Sequence, residues 1–297
     1  MRNFSILVCC FIANLAVGQV FKDTSYTLFS EYQKQLKKYP SLKIVKPAPN
    51  VSVIEEKDIV YHSIENRELH LDSYIFNSDR QLPVVILLHD GGWKSGDKSM
   101  LQPFAEAIAL KGYQCFAVEY RLSDEAKYPA AIDDVLKAID FIKNNAVKFN
   151  ADTKKIAILG RSSGGQMASL IGTKFNADIK AIVNIDGILA FHHPESKEGK
   201  YAAVWLGGTY EEIPEIWHDA SPLSHVSKYT PPILFINSQH NRFHAGRDDM
   251  IEKLNKYKID SKVEQISESP HTFWLFHPWF EKTIQYTINF LDEKLKS

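Results

Sequence analysis

The stretch LPVVILLHD, residues 82–90, constrains the fold more than any other. Its first seven residues are all apolar, so a strand made from them has no solvent face. Such strands sit inside a sheet covered by helices on both sides. The pattern recurs in YQCFAVEYRL, KIAILG, IKAIVNID and PPILFINS. Amphipathic segments separate these runs: residues 100–111, YPAAIDDVLKAIDFIKNNAVKF, segments starting near Gly165 and Arg247, and a final WFEKTIQYTINFLDEKL. Strand–helix alternation of this kind builds an α/β fold with a mostly parallel central sheet and helices on both faces. DIVYHSI and ELHLDSYIF alternate apolar with polar residues and read as an antiparallel pair at its start, and KVEQISES reads as its last strand.

The rhythm is interrupted twice. Residues 19–57 read as a leader, with a short amphipathic helix in YTLFSEYQKQLKKYP and an extended linker in VKPAPNVSV. Residues 188–229 are rich in aromatics, His and Gly and read as a lid insertion within a domain spanning 58–297. Before the leader, residues 1–18 read as a cleavable signal peptide: Arg2, an apolar stretch from Phe4 to Val17, and small residues at Ala16 and Gly18. That stretch is short for a membrane span, so a secreted or periplasmic location without stable membrane insertion is expected. Cleavage would remove Cys9 and Cys10. Cys115 would remain, a core residue in a buried strand rather than a reactive thiol. The chain has 35 Lys+Arg against 36 Asp+Glu, which gives no basic excess for nucleic acid.

Three motifs carry chemistry. Gly160-Arg161-Ser162-Ser163-Gly164 follows an apolar strand and precedes a helical pattern. A G-x-S-x-G in that setting can hold the central serine outward on a sharp elbow, with a helix N-terminus behind it to favour negative charge. LLHDGGW, Leu87–Trp93, ends an earlier buried strand in His89, Asp90, Gly91 and Gly92, where backbone N–H groups can approach an oxyanion closely. SESPHTFWLFHPWF places His271 just after the last strand, where a general base can reach the serine.

In these motifs the chain resembles the α/β-hydrolase esterases and lipases. It is similar above all to carbohydrate-esterase-like and feruloyl-esterase-like enzymes with an H-G-G-G-W oxyanion loop. The resemblance covers roughly residues 58–296 and includes YRLSDEAKYPAAIDDVLKAIDFI. It implies Ser162 as nucleophile, His271 as base, and the N–H groups of Ser163, Gly91 and Gly92 as oxyanion donors. It implies no cofactor and no metal, and a small-molecule or glycan ester as substrate. Asp90 departs from it, standing where the family usually has glycine.

The third triad member is open. The family's G-x-x-D stretch is here Ser238-Gln239-His240-Asn241, with Asn241 in place of the acid. Asp248, in the first turn of the following helix, is the favoured carboxylate. Asp249, Asn241 itself and Asp186 in NIDG are the alternatives. His240, His244 and Asp248 recur every four residues, but Gly246 and the strand before them argue against a helix that would align them on a metal. Arg242, His244 and Arg247 beside the expected site suit a carboxylate-bearing substrate such as an esterified acidic glycan. Trp93, with Trp205, Trp217 and Trp274, could stack on sugar rings. The expected function is therefore a secreted serine ester hydrolase acting on esterified polysaccharide or oligosaccharide. The alternatives are a serine peptidase of the prolyl-oligopeptidase type, though the chain shows no propeller-sized N-terminal domain, and an inactive glycan-binding α/β-hydrolase, a reading kept open by Asn241.

Overall fold

The computed structural model describes residues 23–48, 50–175 and 178–296; the expected signal peptide lies outside them. In chain order the elements are α1 (Leu28–Leu36), β1 (Lys43–Ile44), β2 (Val53–Ile64), β3 (Arg67–Phe76), β4 (Leu82–Leu88), α2 (Gln102–Ala109), β5 (Gln114–Val118) and α3 (Ala130–Asn144). They continue with β6 (Ala151–Arg161), α4 (Ser163–Leu170), β7 (Ile179–Ile185), α5 (Gly199–Leu206), α6 (Pro214–Asp219), β8 (Ile233–Asn237), α7 (Arg247–Lys256), β9 (Ser261–Gln265), β10 (Phe276–His277) and α8 (Trp279–Leu295).

Eight strands form one sheet in the order β2-β3-β5-β4-β6-β7-β8-β9. The β2–β3 hairpin and the β3–β5 pair are antiparallel, and every later pairing is parallel. The apolar runs behave as their composition requires. Along β4, Val84, Ile86 and Leu88 enter one core while Val85 and Leu87 enter the other. Ile132, Val135 and Ile139 of α3 and Met250 and Leu254 of α7 cover the first face. Phe104 and Ile108 of α2 and Ile288 and Leu291 of α8 cover the second. Cys115 is fully buried on β5, and burial pushes its thiol well above the ordinary cysteine range. Among the described residues no helix is long and apolar enough to cross a membrane.

The leader is more than a linker. Thr27 caps α1 through a reciprocal bond with Ser30, and Leu28, Tyr32 and Leu36 pack on the second core. β1 then pairs antiparallel with β10, Lys43 opposite His277 and Ile44 opposite Phe276. The segment from Asp23 to Ile44 is therefore an arm laid against the carboxyl edge of the sheet, where the parallel strands end. The 188–229 insertion carries α5 and α6. Its Trp205 and Trp217 are buried, Trp205 fully, so they belong to the core and are not sugar platforms.

Candidate active site

The elbow forms because β6 runs directly into α4. Ser162 sits between them at φ 51°, ψ −120°, a strained conformation for a residue with a side chain, costing on the order of 1–3 kcal/mol. Its N–H donates to Ile185 O of the neighbouring β7 at 2.8 Å, and its carbonyl accepts from Gln166 N at 3.1 Å. These bonds hold the strain. Gly164 lets α4 press onto the end of β4: a Cβ there would lie 2.4 Å from Leu88 O and 2.5 Å from His89 O.

His271 reaches the serine from the loop after β9. Ser162 Oγ stands 2.9 Å from His271 Nε2, and His271 Nδ1 stands 3.0 Å from Asp186 Oδ2. With Nδ1 donating its proton to the carboxylate, Nε2 accepts from the serine hydroxyl. The imidazole is fixed on two further sides. Phe243 stacks on it at 3.4 Å, and Trp274 meets it edge-on at 5.1 Å.

The acid position differs from the favoured expectation. Asp248, the second residue of α7, points outward, 80% exposed and bonded to Arg247, and does not meet His271. Asp249 pairs with His193 at 3.3 Å, and Asn241 is exposed at the start of a short turn. Asp186, the remaining candidate, supplies the carboxylate. It follows the last residue of β7 at φ 48°, a left-handed conformation that Asp tolerates better than most residues. Its Oδ1 accepts from Ser238 N at 2.9 Å and Asn237 Nδ2 at 3.4 Å, and its side chain is wholly buried. The signal in the sequence was the Asp-Gly pair ending the strand next to the elbow strand. Gly187 is needed there because a Cβ would lie 2.5 Å from Gln166 N of α4.

The HDGG loop turns beside the serine. Gly91 adopts φ 131° and Gly92 φ 62°. The carbonyls of the loop are held: His89 O accepts from Tyr120 Oη at 2.8 Å, Asp90 O from His89 Nδ1 at 2.8 Å, and Gly91 O from Ser95 N at 3.0 Å. Ser163 is the first residue of α4, so its N–H is one of the helix's unpaired first-turn donors. The Asp90 side chain is buried. Burial alone would raise its carboxyl, but Arg161 at 2.7 Å and the Tyr26 hydroxyl hold it below the usual carboxylate range.

Ser162, His271, Gly91 and Gly92 line one cleft of 390 Å³, together with Glu198 and Tyr201 of the insertion, Arg242 and Phe243. The arm lines it too, through Tyr26, Glu31, Lys34 and Gln35, which the sequence did not foretell. Of the expected substrate contacts, Arg242 alone is in the cleft, its guanidinium 3.8 Å from Glu198. His244 is buried, and burial lowers its pKa. Arg247 is tied to Asn237 at 2.9 Å and to Asp248. Trp93 is 3% exposed, stacked on Trp205 and donating to Gln166 Oε1 at 2.9 Å, so it buttresses α4 from within the core. Among the described residues no group of three or more His, Cys, Asp or Glu side chains is placed to hold a metal ion.

Comparison with known proteins agrees with this architecture. The BD-FAE family model matches residues 71–244, more than half of the chain. Esterase LipC of Mycobacterium tuberculosis is 27% identical over 207 residues, 63% of this chain and 49% of that protein. The chain thus spans about half the length of this relative. Among solved structures, a truncated carbohydrate esterase from gut microbiota superposes with a TM-score of 0.74 at 20% identity, covering 84% of this chain and 99% of that one. A fungal esterase from Rhizomucor miehei gives a TM-score of 0.70 at 21% identity over 92% of both chains. At those identities the likeness is one of fold, and the matched family model completes it: the chain is an α/β-hydrolase and belongs to the BD-FAE family.

Proposed function

We propose that this protein is a serine carboxylic ester hydrolase that deacylates esterified glycans. The observation that carries the reading is the line Ser162–His271–Asp186, with 2.9 Å and 3.0 Å between its polar atoms, opening into a cleft. In the reaction, Ser162 Oγ attacks the ester carbonyl while His271 Nε2 takes its proton. Asp186 keeps the ring in the required tautomer and stabilises the imidazolium. The N–H groups of Ser163, Gly91 and Gly92 receive the negative charge of the tetrahedral oxygen. His271 returns the proton to the leaving alcohol, and water, activated by the same base, frees the acid from the acyl-enzyme.

Support for a glycan alcohol comes from the polar walls of the cleft and from the carbohydrate esterase among the structural neighbours. Asp186, 3.0 Å from His271 Nδ1, supports an active hydrolase over the inactive glycan-binding module that Asn241 kept open. We propose further that the protein acts after export, on the strength of the charged and apolar pattern of residues 1–18. Mass analysis of the native protein would give Gln19 as its first residue if so, and Met1 if not.

Hydrolysis of an aryl acetate tests the reaction. The wild type should turn it over, Ser162→Ala should not, and Ser163→Ala should keep most of the rate because only its backbone is used. A panel of acetylated, feruloylated and methyl-esterified polysaccharides then identifies the acyl group and the alcohol.

A further inference from the structure

Asp90 is a carboxylate 1% exposed, immediately before the two glycines of the oxyanion loop. Burying such a charge costs several kcal/mol unless donors surround it. Three do. Arg161 Nη2 donates at 2.7 Å, Trp274 Nε1 donates at 3.0 Å, and the Tyr26 hydroxyl donates to the same oxygen as Trp274. Each donor comes from a different part of the centre. Arg161 precedes the nucleophile, Trp274 packs against the ring of His271, and Tyr26 belongs to the N-terminal arm. The backbone of Asp90 matters as well. Its carbonyl accepts from His89 Nδ1 at 2.8 Å. In a planar trans peptide the following N–H points the opposite way. The residue whose side chain is clamped therefore also sets the direction of the Gly91 N–H.

We infer that Asp90 is a positioning residue for the oxyanion loop and that Tyr26 completes its clamp, which makes the N-terminal arm a working part of the active centre. The inference rests on the ester-hydrolase reading. The arm is 64 residues from Asp90 along the chain, so the contact is a tertiary lock and not a feature of the loop itself. Its effect falls on the transition state: the ester carbonyl of the ground state needs the N–H donors less than the oxyanion does.

The test is Tyr26→Phe, which removes one hydroxyl and leaves the ring, Arg161 and Trp274 in place. Two quantities are read. The first is kcat and KM on an aryl acetate. The second is inhibition by an aryl boronic acid, in which Ser162 Oγ bonds boron, the serine proton passes to His271, and the negative charge stays on the tetrahedral boronate. The expected result is a kcat about tenfold lower with KM nearly unchanged, below the roughly hundredfold cost of losing an oxyanion donor itself. Boronate affinity should fall by a similar factor, with the circular dichroism spectrum kept. Unchanged kcat and boronate affinity, with Ser162→Ala inactive, would overturn the inference and leave the hydrolase reading standing. So would a loss confined to KM. Full activity in Ser162→Ala would instead overturn the hydrolase reading, and this inference with it.

Discussion

Asp186 Oδ2 lies 3.0 Å from His271 Nδ1 although the two residues are 85 positions apart. The acid directly follows β7, the strand beside the elbow strand, and the residue before it accepts the Ser162 N–H. Serine and acid are thus set by one pair of adjacent strands. Only the histidine arrives on a loop, and Phe243 and Trp274 hold its ring. Truncating Phe243 to Ala should loosen that ring and lower kcat on aryl acetate several-fold without abolishing it; steady-state kinetics would show an unchanged rate if the stacking is incidental.

The Arg161–Asp90 pair is 1% exposed on both sides. Arg161→Met would leave the carboxylate in the interior without its counter-charge, a loss of about 3–5 kcal/mol by comparison with other broken buried pairs. Urea unfolding measures it. A midpoint close to that of the wild type at unchanged slope would mean that water reaches Asp90.

Gly164→Ala should be damaging in spite of the small change. The added methyl would overlap Leu88 O and His89 O at 2.4 and 2.5 Å, so α4 must move away from β4 and take Ser162 with it. Overpacking of this sort costs about 1–3 kcal/mol. Activity should fall further than stability, and a variant equal to wild type in aryl acetate turnover would show that the elbow does not depend on this contact.

Arg242 lines the cleft, whereas Arg247 is committed to Asn237 and Asp248. If the substrate is a glycan that carries carboxylates, Arg242→Ala should raise KM on acetylated galacturonan while keeping aryl acetate turnover, and Arg247→Ala should change neither. A preference for acetylated xylan, unmoved by Arg242→Ala, would exclude an acidic substrate.

The centre of the sheet was legible because its strands are mostly apolar runs: Leu82–Leu88 and Ile233–Asn237 are buried end to end, as their composition requires. The elbow and the HDGG loop were legible for a related reason, since glycines at fixed spacing leave few backbone alternatives. Asp248 is favoured in the sequence because it lies near the stretch where the family carries its acid and in the first turn of a helix, criteria that ignore the direction of a side chain. In the first turn of α7, Met250 takes the core side and Asp248 and Asp249 the solvent side, and nothing in a linear pattern near the strand end says so. Trp93 and Trp205 look like sugar platforms in sequence because aromatic residues serve both cores and binding surfaces; the stack between them, at 5.4 Å, places both inside. The arm's part in the cleft was hidden for the same reason that Tyr26 and Asp90 are far apart in the chain. Contacts between distant segments have no local signature.

The most direct test of the Ser162–His271–Asp186 assignment compares two amide substitutions by kcat on an aryl acetate. Asp186→Asn should lower it by about 10⁴, the scale seen when a triad acid becomes an amide. Asp248→Asn, on an exposed helix face, should stay within about twofold of wild type. Near-normal turnover in Asp186→Asn, or a collapse in Asp248→Asn, would contradict the assignment.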